Sequence, residues 1–393
     1  MLLLNHENIC QYLVDSGIFS QQELAEVQLN VGKSTAKNYS IILTLKDART
    51  FIVKQERPLP SGIFSQELAN EWQFQKMIEE IPELNLIQGL VREMLFYDQQ
   101  NLIAVCSFFS DHKELFTDIL KPQQLFPVAI PVWIGSALAR IHRTTFNRKE
   151  AFDFVTQEGS FWRSKGAAFT LLQDRITPEM LSIASPDYIK FISLYQRYES
   201  LERAKQEAVA DWHPCCIVHN DLNVANILVH QDWEQIGSLS MAQRQCMIRI
   251  IDWERCSWGD PVLDLSSLIA NYLMLWISSM IIDPTMNTEE SVDSASVKLE
   301  DIRPSIIALL QQYLDHFPEI VKHFPNFFKK LTQFTGLSII IQAQAKIEHH
   351  KLLANSDVYA LQVAKSLLCR PQHSFLSVFG VKELDLVPSL EVS

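Results

Sequence analysis

The first hundred residues follow a strand-like alternation broken by one helical stretch. Ile41, Leu43 and Leu45 interleave with Ile42, Thr44 and Lys46, Lys46-Asp47-Ala48 reads as a turn, and Thr50 to Gln55 is rich in β-branched and aromatic residues. This pattern predicts two tightly joined, paired strands. Pro58 and Pro60 close that unit. Residues 65–78 carry apolar side chains at Leu68, Trp72, Met77 and Ile78 with Ser65 as an N-cap, which predicts a helix. Two more strands are expected over 91–98 and 101–109, turning at Gln99-Gln100. Ahead of them all, 7–16 and 20–27 read as short helices, the second opened by a capping box of Ser20 and Glu23.

Beyond Phe109 the pattern changes. The polar stretch from Ser110 to Glu114 reads as a linker between lobes. Helical periodicity then dominates, over 132–146, 187–210, 265–282, 303–315 and 327–368. Short β-like segments interrupt it, Cys216 to His219 with Ile227 to His230, and Met247 to Asp252. Residues 284–303 are polar without periodicity and are expected to form a mobile loop. The order predicts an α+β protein with a β-rich N-terminal lobe over 1–109 and a mostly helical C-terminal lobe over 110–393, meeting at a cleft, where small-molecule sites prefer to lie.

Composition narrows the function. The chain has 393 residues, 47% of them hydrophobic, and a net charge of −12. An acidic chain argues against nucleic-acid binding, which needs clustered Lys and Arg, and would mildly steer cations inward. Seven scattered cysteines, including the vicinal Cys215-Cys216, show neither metal spacing nor a disulfide framework, as expected of a reducing, cytoplasmic setting. The start, MLLLNHENICQYL, lacks the basic and apolar regions of a signal peptide. The apolar run from Leu265 to Ile282 holds four serines and Asn271, with Asp264 and Asp283 at its ends, so it reads as a core helix and no membrane partner is expected.

The chemistry concentrates in residues 217–230, IVHNDLNVANILVH, and in IRIIDWE, which ends an apolar strand at Asp252. Asp221 and Asn226 stand five apart in a loop between two β-like stretches. Phosphoryl transfer needs a positioned nucleophile and neutralised phosphate charge more than covalent help from the protein. One carboxylate can orient an acceptor hydroxyl and take its proton, while a second carboxylate and an amide oxygen can hold Mg²⁺, which prefers hard oxygen ligands. Asp221, Asn226 and Asp252 supply that inventory.

The HxDxxxxN pattern followed by a strand ending in Asp resembles the catalytic and metal loops of the protein-kinase-like fold. Asp252-Trp253-Glu254, then Gly259-Asp260-Pro261 and Asp264-Leu265, is similar to the aminoglycoside phosphotransferase and choline kinase family, strongly from about 212 to 266 and weakly over most of the chain. That resemblance implies a bilobal protein-kinase-like fold and an ATP- and Mg²⁺-dependent kinase acting on a small-molecule acceptor. It implies Asp221 as base, His219 as a brace of the catalytic loop, Asn226 and Asp252 as Mg²⁺ ligands, and Asp264 as a support hydrogen-bonding the loop from beneath. It further implies Lys54 as the lysine of the α- and β-phosphates and Glu71 as its ion-pair partner, with Glu67 a rival one turn earlier. The backbones of Ser107 and Phe109 would meet adenine.

The sequence departs from the family pattern in three places. Asn220 and Asn223 replace the usual Gly and His beside the base, so altered acceptor-side contacts are expected. Residues 231–246 form an insertion. The phosphate loop, VGKSTAKN, holds only Gly32, so Ser34, Thr35 and Asn38 would supply donors instead. Gly32-Lys33-Ser34-Thr35 is no Walker loop, because Val27 stands where its first glycine belongs. His349 and His350 are adjacent on a helix and point apart, so they do not converge on a metal. Phe161-Trp162 reads as packing. Two rivals are a protein kinase and a catalytically silent kinase-like binding protein. GDPxxDL follows Asp252 too closely for an activation segment, which disfavours the first, and the presence of Lys54, Asp221, Asn226 and Asp252 together disfavours the second.

Overall fold

A computed structural model describes residues 2–31, 38–59, 62–115, 126–156, 184–238, 247–283 and 285–387. Contacts sort the described residues into two compact units. The first draws on Met1–Lys113, Asp153–Lys165 and Asn226–Cys256, and the second on Glu114–Phe152, Gly166–Ala225 and Ser257–Ser393. The strands among the described residues are β1 (Gln28–Val31), β2 (Asn38–Thr44), β3 (Thr50–Glu56), β4 (Met94–Asp98), β5 (Ile103–Ser107), β6 (His112–Glu114), β7 (Cys216–Val218), β8 (Ile227–His230), β9 (Ile248–Ile250) and β10 (Ser257–Gly259).

In the first unit an antiparallel sheet runs in the order β1-β2-β3-β5-β4. The predicted β2–β3 hairpin is present, with Ala48 of its turn at φ 67°. Period-two alternation divides β3 and β5 between two faces. Val53 and Val105 join Ile41, Leu43 and the N-terminal Leu13 in one apolar cluster, while Ala104 and Cys106 join Leu68 and Met94 in another. Lys54, paired in register with Ala104, belongs to the second face.

The helix Glu67–Glu80 supplies Leu68 to that face. Its entry differs from expectation. Ser65 does not cap it; Gln66 holds the cap position at φ 57° and makes no side-chain cap bond. The buried carboxylate of Glu56, at the end of β3, accepts instead from the Gln66 and Leu68 N–H groups, both at 2.8 Å, and from the Ser65 hydroxyl at 3.2 Å. A negative group satisfying the first N–H groups of a helix also complements its dipole.

The stretch read as a linker carries a strand, β6, which joins a sheet of order β6-β8-β9. β8 pairs antiparallel with β9, and Val91 bridges Ile250 in parallel. The β-like segments 216–219 and 227–230 are both strands, but in different sheets. β7 pairs with β10 in the second unit, Val218 opposite Ser257 and Cys216 opposite Gly259. A Cβ on Gly259 would stand 2.4 Å from Val218 Cγ2, so the approach of these strands requires glycine.

The second unit is mostly helical. The helices Ala129–Thr145 and Leu299–His316 pack together closely, and a Cβ on Gly135 would lie 2.4 Å from the Leu309 carbonyl oxygen. The helix Phe327–His350 packs on both Val262–Ser278 and Asn355–Cys369. Three expectations are corrected here. Residues 187–210 form two helices, Pro186–Gln196 and Glu199–Ala210. Residues 327–368 are broken by Lys351 at φ 57°, and Asp357 then caps the Ala354 N–H at 2.9 Å. The polar stretch 284–303 holds a short helix, Thr288–Asp293, opened by a reciprocal Asn287–Glu290 capping box. No helix among the described residues is long and apolar enough to cross a membrane, and Leu265 to Ile277 lie within a core helix.

Candidate functional site

The first unit gathers Lys54, Glu71, Asp252 and an arginine that pattern reading passed over, Arg92. Lys54 is 7% exposed. Its Nζ lies 2.6 Å from Asp252 Oδ1 and 3.5 Å from Glu71 Oε2. Arg92 Nη1 lies 3.7 Å from the same Asp252 oxygen. Burial works against the Lys54 charge, but the Asp252 and Glu71 carboxylates outweigh it and hold the pKa above the ordinary lysine value. Glu67, the rival of Glu71, pairs instead with Arg255 at 3.6 Å. One helical turn therefore separates a glutamate on Lys54 from one that is not.

Asp252 follows β9 and sits in the left-handed region at φ 61°, ψ 56°, where an aspartate is tolerated better than a branched side chain. The β8–β9 ladder sets its neighbourhood. Ile227 pairs with Ile250, and the Ile251 N–H donates to the Asn226 carbonyl at 3.0 Å, so the backbone of Asn226 lies beside the residue preceding Asp252. Trp253 anchors the following turn. It is buried, its Nε1 donates to the Ile250 carbonyl at 3.0 Å, and its ring stacks on Phe74 of the Glu67–Glu80 helix at 4.3 Å. Asn70 of that helix donates to the Glu254 carbonyl at 2.8 Å. Asn70 and Phe74 thus fix the helix that carries Glu71 to the segment that carries Asp252. Burial, with the Glu67, Asp252 and Glu71 carboxylates and against Lys54, pushes the Glu254 carboxyl up to about 8.

At the expected adenine-facing edge, the Ser107 N–H is committed to the Glu93 carbonyl at 2.9 Å, and the Phe109 carbonyl accepts from the His112 N–H at 3.3 Å. The Phe109 ring lies under Arg249, 4.8 Å from ring centroid to guanidinium carbon. Ser34 and most of the expected phosphate loop lie outside the described residues, as do Phe161 and Trp162.

The second unit holds the loop from His219 to Ala225. Asp264, buried in the Val262–Ser278 helix, accepts from the His219 N–H at 2.8 Å through Oδ2 and from the Asn220 N–H at 3.1 Å through Oδ1. His142 Nε2 also reaches Asp264 Oδ2, at 3.1 Å, and its Nδ1 meets the Tyr313 hydroxyl at 3.0 Å. Burial would raise the Asp264 carboxyl, but its bonds and proximity to His142 and His219 hold it below the ordinary value. The residue after the histidine, Asn220, stands at φ 65°. This explains why asparagine can occupy a position where glycine is usual, since both tolerate this region. Asn223 turns its amide onto the loop itself, donating to the Asp221 carbonyl at 3.1 Å and accepting from the Ala225 N–H at 2.9 Å. Asn271 accepts from the Val224 N–H at 3.3 Å. Asp221 is half-buried between these anchors. Beyond the loop, the wholly buried Asp260 pairs with the wholly buried Lys330 at 2.7 Å and accepts from the His213 N–H at 3.0 Å.

Among the described residues no three or more His, Cys, Asp or Glu side chains form a metal cage. A magnesium ion does not require one, because it is commonly held by one or two carboxylates together with substrate phosphates. The carboxylate of Asp252, about a third exposed, and the amide of Asn226 are hard oxygen donors of that kind.

The model of the phosphotransferase enzyme family, APH, matches residues 117–289. The match spans His219, Asp221, Asn226, Asp252 and Asp264, and it bears out the family resemblance read from those motifs. No curated protein matches the chain. Among solved structures it is similar to a choline kinase from Streptococcus pneumoniae, at 14% identity and TM-score 0.43, covering 92% of this chain and 98% of that one. A macrolide 2'-phosphotransferase from Brachybacterium faecium is similar at 10% identity and TM-score 0.44, with 93% and 99% covered. An amicoumacin kinase in complex with AMP-PNP and Ca²⁺ is similar at 12% identity and TM-score 0.48, with 92% and 96% covered.

Proposed function

We propose that this chain is an ATP- and Mg²⁺-dependent kinase that phosphorylates a hydroxyl group of a small molecule such as an amino alcohol, a sugar, an aminoglycoside or a specialised-metabolite intermediate. One observation carries most of the weight. A buried lysine on β3 lies 2.6 Å from Asp252 and 3.5 Å from Glu71, two carboxylates carried by separate elements of the chain. The family match over residues 117–289 supports the same reading.

In this mechanism Asp221 accepts the proton of the acceptor hydroxyl as its oxygen bonds to the γ-phosphorus; the bond to the bridging oxygen breaks and ADP leaves. Asp264 holds the loop so that Asp221 does not have to be ordered during reaction, an advantage of preorganisation. Lys54 would bind the α- and β-phosphates, with Glu71 keeping its ammonium in place. Asn226 and Asp252 would hold Mg²⁺, which neutralises charge on the phosphates. The backbone edge around Ser107 and Phe109 would receive adenine, with the Ser107 N–H already used within the protein.

The test is ADP release against a panel of amino alcohols, sugars and aminoglycosides. Asp221→Ala should lower turnover at least about 100-fold, the lower range for a general base, while MgATP binding persists. Asp252→Ala should remove the Mg²⁺ dependence of ATP binding. Undiminished turnover in the Asp221 variant would take the base role from it. MgATP binding with no turnover on any acceptor would favour a catalytically silent binding protein.

A further inference from the structure

Arg92 is poorly satisfied by the described residues around it. It is 8% exposed, and its Nε is buried without a hydrogen-bond partner among the described residues. Its one ion pair there, to Asp252 Oδ1, is 3.7 Å long, beyond good hydrogen-bond distance. That oxygen is also the one held by Lys54 at 2.6 Å. The backbone leaves Arg92 little choice of neighbourhood. Val91 bridges Ile250, and the Ile250 N–H donates to the Leu90 carbonyl at 2.7 Å, so Arg92 is carried past the end of β9 toward Asp252.

A guanidinium keeps its charge at any working pH and is costly to bury without an anion. Here two cations share one carboxylate oxygen. If Asp252 ligates a metal ion, that ion draws the shared oxygen away from both. Lys54 retains Glu71 at 3.5 Å, but Arg92 has no second acidic partner among the described residues. An anion that arrives with the metal resolves the imbalance, and a planar guanidinium with its Nε to spare suits a phosphate oxygen. Resting on the kinase reading above, we propose that Arg92 is a second phosphate-binding cation, which exchanges Asp252 for the polyphosphate of a metal–nucleotide complex.

The test measures ATP affinity by calorimetry, with Mg²⁺ and with EDTA, for the wild type, Arg92→Met and Arg92→Lys. With Mg²⁺, Arg92→Met should bind ATP about tenfold more weakly, the scale of one charge-assisted hydrogen bond, and Arg92→Lys should recover part of the loss. With EDTA the three proteins should differ little, because Asp252 then keeps Arg92. Wild-type affinity in Arg92→Met with Mg²⁺ would overturn the proposal. So would an equal loss under both conditions with a lowered melting temperature and no rescue by lysine, which would make Arg92 structural. If the wild type itself bound no MgATP, the kinase reading would fall first, and this role with it.

Discussion

Asp264 Oδ1 accepts a hydrogen bond from the Asn220 N–H at 3.1 Å, and Asn220 stands at φ 65° to present it. The carboxylate and the left-handed residue are two halves of one device. The first bonds successive N–H groups of the loop, and the second supplies the backbone turn that lets both N–H groups face one side chain.

The conformational half of this device is testable through Asn220. Asn220→Ala should cost about 1 kcal/mol, the usual penalty for an alanine held left-handed, and Asn220→Gly should stay within about 0.5 kcal/mol of wild type. Urea unfolding of the two variants gives the comparison. Equal stability of Ala and Gly would show that the loop relaxes to another backbone conformation.

The carboxylate half predicts a pH dependence. The Asp264 pKa is lowered in the folded protein, so the unfolded chain binds its proton more readily. The stabilisation is complete above the unfolded value, ~3.9, and is lost as the pH falls through the lowered folded value. Asp264→Asn should be about 3 kcal/mol less stable at neutral pH, the upper range for a charged hydrogen bond. That gap should shrink as the pH is taken below about 4. Denaturant titrations at stepped pH measure it, and a gap constant down to the acid transition would remove Asp264 as its source.

Lys54 distinguishes its two glutamate candidates. Glu71→Gln should raise the KM for ATP about tenfold, as expected when a charge-assisted contact to the lysine is lost. Glu67→Gln should leave that KM near wild type, because its partner is Arg255 at 3.6 Å. The reverse order of effects would contradict the pairing at 3.5 Å.

Glu56 holds the entry of the Glu67–Glu80 helix and so, at one remove, Glu71. Glu56→Ala leaves the Gln66 and Leu68 N–H groups without their buried acceptor and should destabilise by about 2 kcal/mol. Because the helix is also held by Trp253 against Phe74, the protein should still fold. A melting curve unchanged from wild type would show that water replaces the carboxylate.

Local patterns decided much of this protein. The alternation around Ile41 to Gln55 was enough for the β2–β3 hairpin, because strand pairing across a tight turn is nearly a local matter. The motifs from His219 to Asp264 placed the loop, the strand end and the supporting carboxylate, since each role attaches to a short stretch of backbone. Other features depended on partners far along the chain. β7 pairs with β10, a strand far along the chain, where a Cβ on Gly259 would meet Val218. Glu56 as a cap, Asn70 and Phe74 as clamps, His142 beneath the loop and Arg92 beside Asp252 left no mark in spacing. Hydrophobic periodicity reports which side of an element is buried; it does not report what that side meets. Charge pairing is decided by distances of a few ångströms, and only the packed chain sets those.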